Sequence, residues 1–446
     1  MFQKILIANR GEIAVRIIRA CKDMGISTVA VYSEADSEAL HVGLADESIC
    51  IGKAPAADSY LNMQAILSAA AVTHAQAIHP GYGFLAESAK FASLCEQCSI
   101  SFIGPQSGHI SAMGDKDNAR KTMKKMGLPV VPGSESVEDL QEAFDWAGKV
   151  GYPLLIKARA GGGGRGIRLV AEESGFESAF LDASREASTS FGDEGLYIEK
   201  YMEQVRHIEV QILADAYGKV VCLGERDCSM QRRKQKVLEE SPAVGLPEET
   251  RKSMQRDAVR AAKKIGYINA GTLEFLVDAD GKHYFMEMNT RLQVEHPVTE
   301  MVTGIDLVKW QIRIAAGVPL SFDQRSVLPS GHSIECRINA ENPALDFRPS
   351  AGTVDFLHIP GGPRVRFDTA LYPGCTVPPF YDSLLGKLIV HANTREEAVR
   401  KMQAALAELV ISGVDTNIEL HIDILAGEAF RNGVYTTGYL ESRNQQ

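Results

Sequence analysis

The segment GTLEFLVDADGKHYFMEMNTRLQVEHP, residues 271–297, decides how the most charged part of this chain folds. Two apolar runs flank Asp280-Gly281, a dipeptide preferred in the two-residue turn of a β-hairpin. A turn at this point pairs Ala279 with Lys282 and makes the two runs antiparallel neighbours. The segment therefore predicts a hairpin whose turn sets the register of both strands.

Counting outward from that turn brings two glutamates to opposite positions. Glu274 then faces Glu287, with about 5 Å between their Cβ atoms. Like charges directly opposite each other destabilise a sheet unless a positive charge lies between them. We interpret the pair as part of a divalent metal site, and an edge-strand ladder of salt bridges is the alternative.

The polar residues continue beyond Glu287. If the chain stays extended, alternation places five polar side chains on one face, namely Glu287, Asn289, Arg291, Gln293 and Glu295. The opposite face is apolar, and Phe275 and Phe285 indicate a buried sheet. Oxygen ligands of this kind suit Mg²⁺, which completes its shell with water and nucleotide phosphates.

The order of apolar and amphipathic segments predicts a mixed α/β (α+β) fold. The first third alternates KILIAN, EIAVRIIRACKDMG, STVAVYS, AQAIHP and ISFIGP, which is typical of a parallel sheet covered by helices. A helix containing Ala119 and Met123 ends at Gly127 and opens a second unit. A β-rich unit begins at HSIECRINAE and closes with helices from about residue 395.

A glycine run at residues 161–164 follows the strand YPLLIKA and Lys157. Glycines let backbone N–H groups approach a phosphate chain closely, and neighbouring cations add charge. The run lacks the G-K-[ST] ending of a Walker A motif and does not open a helix as G-x-G-x-x-G does. It predicts a phosphate loop of another kind, with a flexible hairpin turn as the alternative.

The segment ERDCSMQRRKQKVLEE contains four cations at Arg232, Arg233, Lys234 and Lys236. Such a cluster is also typical of nucleic-acid binding or of a solvated charged loop. The chain has 57 acidic and 47 basic residues and a net charge of -10, which argues against nucleic acid and anionic membranes. We therefore interpret the cluster as binding a small anion.

Composition and the N-terminal segment predict a soluble cytoplasmic protein of two or three domains. The 446 residues are 45% hydrophobic, enough for a sizeable core, and no apolar run approaches the ~20 residues of a membrane span. The eight cysteines show no zinc or disulfide spacing beyond a C-x-x-C at Cys95 and Cys98, so free thiols are expected. The N-terminal segment has no signal-peptide core.

Together these motifs resemble the biotin carboxylase family within the ATP-grasp superfamily. The resemblance runs from residue 1 to about 440 and is carried by IANRGEIA, HPGYGFLAE, IGP, GDK, the glycine loop, ERDCSMQRR-QK, EMNTRLQVEHPVTE, ECRINAE and TVPPFYDSLLGKLI. It implies an N-terminal α/β domain (1–115), an ATP-grasp domain (116–330) with a mobile lid of about 131–203, and a β-rich C-terminal domain (331–446).

The resemblance also implies roles for individual residues. The nucleotide ATP would contact Lys116, Lys157, Gly162, Gly163, Gly164, Glu199, Lys200, Met202, His207, Gln231 and Lys234. Two Mg²⁺ or Mn²⁺ ions would bind Glu274, Glu287 and Asn289. Bicarbonate and biotin would contact Tyr82, Lys236, Arg291, Gln293, Val294 and Arg337. Glu295 would take the bicarbonate proton, and Arg337 would stabilise the biotin enolate.

Two residues depart from the family pattern. Lys234 stands where many relatives have His, and Arg159 stands beside the glycine loop where a small residue is usual. The departures bear on nucleotide affinity and lid closure. Arg337 would, without the resemblance, be interpreted as a surface ion pair with Glu335 or Glu341.

The resemblance implies ATP-dependent carboxylation of biotin through carboxyphosphate, as the first half-reaction of acetyl-CoA carboxylase in fatty acid synthesis. No Ala-Met-Lys-Met biotinylation sequence is present, so a separate biotin carboxyl carrier protein and carboxyltransferase subunits are expected, with a homodimer by analogy. Alternatives are a propionyl-CoA or pyruvate carboxylase system, a non-biotin ATP-grasp ligase such as a carbamoyl-phosphate enzyme, and a non-catalytic nucleotide-binding protein.

Overall fold

The computed structural model describes residues 1–137, 139–159 and 166–443. The first unit holds β1 (Lys4–Ile7), α1 (Gly11–Asp23), β2 (Ser27–Ser33), α2 (Leu40–Leu44), β3 (Glu47–Gly52), α3 (Met63–Val72), β4 (Ala77–His79), α4 (Ala89–Gln97), β5 (Ser101–Phe102) and α5 (Ser107–Gly114). Its strands form a parallel sheet in the order β3-β2-β1-β4-β5. The predicted β-α-β unit is confirmed.

The strand order of this sheet reverses between β1 and β4, where such sheets bind ligands. The loops after these two strands are tied together by Asn9, whose side-chain amide donates to the carbonyl oxygens of Pro80 and Tyr82, each at 2.7 Å. The motifs ANRGE and HPGYGF therefore lie side by side at one edge of the sheet.

A small second unit follows α6 (Lys116–Lys125). It contains α7 (Leu140–Val150), β6 (Leu154–Ala158), β7 (Ile167–Val170), α8 (Phe176–Phe191) and β8 (Leu196–Lys200). Its sheet has the order β7-β6-β8 and its own core, in which Phe176 and Ile198 are fully buried. This core is separate from those of the neighbouring units, and we call the unit from α7 to β8 the lid.

The largest sheet belongs to the rest of the chain. Its elements up to residue 315 are β9 (Arg206–Ala214), β10 (Val220–Arg232), β11 (Gln235–Ser241), α9 (Glu248–Ile265), β12 (Asn269–Val277), β13 (His283–Asn289), α10 (His296–Thr303) and α11 (Leu307–Ala315). The eight strands run in the order β13-β12-β9-β10-β11, followed by three strands of the last unit.

The last unit supplies β14 (His332–Asn339), β15 (Glu341–Asn342), β16 (Arg348–Pro349), β17 (Gly352–Thr353), β18 (Phe356–His358), β19 (Val365–Thr369), β20 (Thr376–Val377), β21 (Leu384–Ala392), α12 (Arg395–Glu408), β22 (Val410–Ser412), α13 (Ile418–Ala426), α14 (Glu428–Asn432) and α15 (Tyr439–Arg443). Strand β14 pairs with β11, and β21 and β19 complete the sheet. One sheet thus continues across residue 330.

The hairpin of β12 and β13 forms with Glu274 opposite Glu287, as predicted, but its turn differs. The prediction that Ala279 pairs with Lys282 is wrong, because the backbone N–H of Asp278 donates to the carbonyl of Lys282. The Asp278 carboxylate accepts from the backbone N–H groups of Asp280 and Lys282, which stabilises a longer loop.

A β-bulge in the β12–β13 pairing restores the predicted register at Glu274 and Glu287. Phe275 pairs with Phe285 and Glu274 with Glu287, so Met286 is an extra residue on β13. The prediction that the polar face continues in an extended chain is wrong beyond Asn289, where β13 ends. Glu295 instead precedes α10, and the chain between them folds back as a loop.

No helix among the residues described is both long and apolar enough to cross a bilayer. All eight cysteines are free thiols. Cys95 is buried in α4, and Cys98 is exposed just after it. The C-x-x-C is therefore part of a helix end, as expected for structural thiols.

Candidate active site

A cavity of about 1450 Å³ lies where the large sheet meets the lid and the loops of the first unit. The predicted residues that line it are Tyr82, Lys116, Lys157, Glu199, Lys200, Met202, His207, Gln231, Lys234, Lys236, Glu274, Glu287, Asn289, Arg291, Gln293, Val294 and Arg337. Gly162, Gly163 and Gly164 lie outside the described residues. The structure thus brings together side chains that are more than 200 residues apart in sequence.

The two hairpin glutamates have different partners. Glu274 is buried, and its Oε1 accepts hydrogen bonds from Lys236 Nζ at 3.0 Å and Asn289 Nδ2 at 2.8 Å, while its Oε2 lies 2.8 Å from His207 Nε2. Glu287 lies 2.9 Å from Lys116 Nζ. Burial alone would raise the pKa of Glu274, but Lys236 and His207 hold it well below its ordinary value.

These contacts are compatible with both interpretations of the hairpin, the metal site and the edge-strand ladder of salt bridges. Strand β13 is the edge of its sheet, and its glutamate forms a salt bridge, as the ladder alternative predicts. The donor set also fits a divalent cation, since Glu274 and Glu287 are paired in register and Glu287, Asn289 and Glu274 all line the cavity. Two carboxylates and an amide oxygen are ligands that Mg²⁺ accepts.

Glu295 is fully buried between two cations behind the cavity wall. Its Oε1 accepts a hydrogen bond from Lys236 Nζ at 2.7 Å, and its Oε2 accepts one from Arg337 Nη2 at 2.8 Å. Burial would raise the pKa of Glu295, but Lys236 and Arg337 together hold it well below its ordinary value. Glu295 is therefore an ionised carboxylate with a cation on each oxygen.

Arg337 contacts groups other than those expected of a surface residue. Its guanidinium donates to Glu239 and Glu295 rather than forming an ion pair with Glu335 or Glu341. Burial would lower the pKa of Arg337, but Glu239 and Glu295 raise it. The surface-ion-pair interpretation is wrong, because β14 lies inside the large sheet and its partner strand β11 presents Glu239 to it.

Three lysines approach the cavity from different elements. Lys116 begins α6, Lys157 is the last residue but one of β6, and Lys234 lies in the β10–β11 turn with φ +65°. Partial burial, followed by the charges of Lys157 and Lys116, lowers the pKa of Lys234. Mutual repulsion of this kind is relieved when an anion binds among the three ammonium groups.

The lid edge contributes carboxylate and ammonium groups. Glu199 on β8 contacts Lys157 and lies 3.7 Å from Arg120, whereas Lys200 turns its ammonium to the carbonyl oxygens of Gly151 and Tyr152. Gly133 pairs with Glu199 across an isolated bridge. The strand carrying Glu199 is thereby joined to the segment that enters the lid.

Arg159, one of the two departures from the family pattern, forms an ion pair with Asp193 at 2.7 Å. Arg159 directly follows β6, and Asp193 lies just before β8. This ion pair links the end of β6 to the segment that leads into β8.

Sequence reasoning missed three groups that organise the site, namely the fully buried Arg226 and Glu209 and the exposed Glu87. Arg226 is fully buried and donates to Glu209, and Glu209 also accepts from Lys236 at 2.7 Å. Glu87 accepts from Arg291 Nε at 2.8 Å. The alternation of His207 and Glu209 along β9 carried a signal for this cluster, because both side chains point to the same face.

Known proteins resemble the whole chain. Three family models match in order, namely the biotin carboxylase N-terminal domain over residues 1–110, the ATP binding domain of the carbamoyl-phosphate synthase L chain over residues 115–322, and the biotin carboxylase C-terminal domain over residues 335–442. Biotin carboxylase 1 of Bacillus subtilis is 55% identical over 444 residues and covers 99% of each chain.

Solved structures agree with these matches. A biotin carboxylase complex from Campylobacter jejuni is 49% identical, with a TM-score of 0.97 and 99% of each chain covered. The biotin carboxylase domain of the Hydrogenobacter thermophilus 2-oxoglutarate carboxylase, a dimer solved with MgADP, ADP and bicarbonate, is 51% identical, with a TM-score of 0.96 over 100% of this chain and 98% of that one. The chain therefore belongs to the biotin carboxylase family of ATP-dependent carboxylating enzymes.

Proposed function

We propose that this enzyme carboxylates biotin on a separate carrier protein, using ATP and bicarbonate. One observation carries the proposal, namely that Glu295 lies between Lys236 and Arg337, two cations that line the same cavity as Glu274 and Glu287. A base, a cation for bicarbonate and a cation for biotin are thus adjacent to a set of metal ligands.

In this proposal Lys116, Lys157 and His207 contact the nucleotide and Lys234 lies near its ribose, while Glu199, Lys200 and Met202 hold the adenine. Glu274, Glu287 and Asn289 would hold two Mg²⁺ or Mn²⁺ ions, which when bound would reduce the negative charge of the phosphates. The related 2-oxoglutarate carboxylase domain solved with MgADP supports the use of magnesium.

The first chemical step needs a nucleophile made from bicarbonate. Lys236, Arg291 and the Gln293–Val294 segment hold the anion while Glu295 accepts its proton. Bicarbonate drawn to Lys236 weakens the contact between Lys236 and Glu295, which makes Glu295 more basic than in the free enzyme. The bicarbonate oxygen then attacks the γ-phosphate, the bond to ADP breaks, and carboxyphosphate forms.

The second step transfers carbon to biotin. Carboxyphosphate breaks into carbon dioxide and phosphate, and the phosphate removes the proton from the ureido N1 of biotin. Arg337 stabilises the resulting enolate oxygen, with Tyr82 at the wall of the same cavity. The N1 nitrogen then forms its bond to carbon dioxide.

The carboxyl group is expected to pass to an acyl acceptor through carboxyltransferase subunits. We propose acetyl-CoA as that acceptor, so that the enzyme performs the first half-reaction of acetyl-CoA carboxylase as a cytoplasmic homodimer. The related domain from a 2-oxoglutarate carboxylase indicates that this fold also serves other acceptors. The acceptor is selected by the transferase rather than by the cavity described above.

ADP release by the purified enzyme with Mg-ATP tests the proposal. We expect release to require bicarbonate and to be stimulated by free biotin. Bicarbonate-dependent release that ignores biotin would instead favour a carbamoyl-phosphate type of ligase. ATP binding without any turnover would favour a non-catalytic nucleotide-binding protein.

A further inference from the structure

Lys387 is a fully buried lysine on β21 that contacts the backbone beside Glu295. Its side chain is 0% exposed, and its ammonium donates a hydrogen bond to the carbonyl oxygen of Val294 at 2.8 Å. That carbonyl belongs to the peptide unit that joins Val294 to Glu295. The ammonium therefore fixes the main chain immediately before the proposed base.

A charge buried this deeply is costly unless it is partnered. The partner of Lys387 is Glu12, whose Oε1 lies 3.1 Å from the ammonium and whose side chain is 3% exposed. Glu12 lies in the first turn of α1, and the ring centroid of Tyr82 is 5.7 Å from the same ammonium. Lys387 thus joins the first unit, the last unit and the loop that follows β13.

Lys387 also has a defined relation to Arg337. The two residues are directly opposite each other on the paired strands β21 and β14, so their side chains leave the sheet on the same face. Arg337 binds the carboxylate of Glu295, while Lys387 binds the peptide unit before it. Neighbouring strands therefore hold the side chain and the backbone of one residue.

We infer that Lys387 is a positioning residue for the bicarbonate site, because it fixes the Val294–Glu295 main chain so that both residues face one anion. This role rests on the proposed function. The Glu12–Lys387 pair would then contribute to substrate binding as well as to the contact between the first and last units. Lys387 itself does not line the cavity, and its role is to hold the main chain rather than to bind the anion.

The variant Lys387→Met tests the role through steady-state ADP release with biotin. We expect the KM for bicarbonate to rise about tenfold, the effect of losing one hydrogen bond from a charged donor, with the KM for ATP unchanged. Lys219→Met is the matched control, because Lys219 also donates to a carbonyl oxygen, that of Leu320, away from the cavity.

The double variant Glu12→Gln, Lys387→Met separates positioning from stability. The double variant lacks the Glu12 carboxylate that loses its cation in the single variant, so we expect its thermal midpoint to lie above that of Lys387→Met while the bicarbonate KM stays raised. Recovery of the bicarbonate KM together with the midpoint, or an unchanged KM in both variants, would overturn the positioning role. A parent enzyme without biotin-dependent turnover would overturn the proposed function, and this role with it.

Discussion

Glu295 is a carboxylate whose basicity depends on what occupies the neighbouring cavity. With Lys236 and Arg337 on its two oxygens it is a weak proton acceptor, and its pKa lies well below the ordinary value. Its exposure of 0% excludes bulk water as a competing acceptor at this position. Proton transfer is therefore coupled to the arrival of an anion that attracts the same cations.

The variant Glu295→Gln keeps the shape of this side chain but cannot accept a proton. We expect bicarbonate-dependent ADP release to fall by roughly 10² to 10⁴, the usual contribution of a general base. Nucleotide binding, measured by titration calorimetry, should remain. Glu248→Gln, on an exposed glutamate at the start of α9, is the control, and equal activity of the two variants would contradict the assignment.

The variant Arg337→Ala should separate the two chemical steps. Carboxyphosphate formation does not need the enolate, so we expect some bicarbonate-dependent ADP release to persist while carboxybiotin formation falls at least about 100-fold. Removal of one partner of a buried pair also costs stability, so the thermal midpoint must be followed in parallel. Undiminished carboxybiotin formation would contradict the role of Arg337.

Residue types and their spacing in the sequence predicted part of the candidate site. Glu274 and Glu287 followed from the hairpin register, whereas Arg337 required the resemblance to a family. Its partners Glu239 and Glu295 are 98 and 42 residues away in sequence, so only the tertiary fold brings them together. Closeness in sequence favoured Glu335 and Glu341 as partners of Arg337, whereas in the structure its guanidinium forms ion pairs with Glu239 and Glu295.

The hairpin of β12 and β13 is the element that holds the proposed metal ligands. Glu287→Gln should raise the free Mg²⁺ concentration needed for half-maximal ADP release by about tenfold or more, because a neutral amide replaces an anionic ligand. Asp280→Asn is the control on the same hairpin, since Asp280 is 77% exposed at the turn. Identical magnesium dependence in both variants would rule out Glu287 as a ligand.

The hairpin also shows what a periodic pattern can and cannot predict. Alternation and the Asp280-Gly281 turn gave the correct opposition of the two glutamates. They missed the Asp278 hydrogen bonds that lengthen the turn and the extra residue Met286 that compensates for it. Two errors of one residue cancelled, because side chains on the core face cannot change sides without exposing apolar surface.

The cavity lies where three units meet, so the position of its side chains depends on how all three units pack. The parallel sheet of the first unit was predictable from alternating strands and helices. The eight-stranded sheet was not, because its central pairing of β11 with β14 joins strands separated by about ninety residues, including α9, α10 and α11. No local signal in either strand identifies such a distant partner.

Buried titratable groups make the stability of the molecule depend on pH in two opposite ways. Burial lowers the pKa of His41 to about 4, so below pH 6.5 the unfolded chain binds a proton that the native state excludes, and stability is lost as the pH falls. Burial raises the pKa of Glu12 to about 7, so between pH 4.5 and 7 the native state holds the extra proton, and stability is lost as the pH rises.

Two variants should therefore change the slope of unfolding free energy against pH in opposite directions between pH 4.5 and 6.5. His41→Gln should make the slope of unfolding free energy against pH less positive, and Glu12→Gln should make it more positive, each by about 1.4 kcal/mol per pH unit at most. His358→Gln, at a half-exposed histidine, is the control. Parallel curves for all three variants, from denaturant midpoints, would contradict these shifts.

Transfer of labelled carbon from bicarbonate to biotin would show carboxylation of biotin itself. The enzyme would be incubated with Mg-ATP, ¹⁴C-bicarbonate and free biotin, and acid-labile carboxybiotin would be separated and counted. We expect label in biotin only when ATP is present, with none from the Glu295→Gln variant. ATP consumption by the parent enzyme without any labelled biotin would contradict the proposed function.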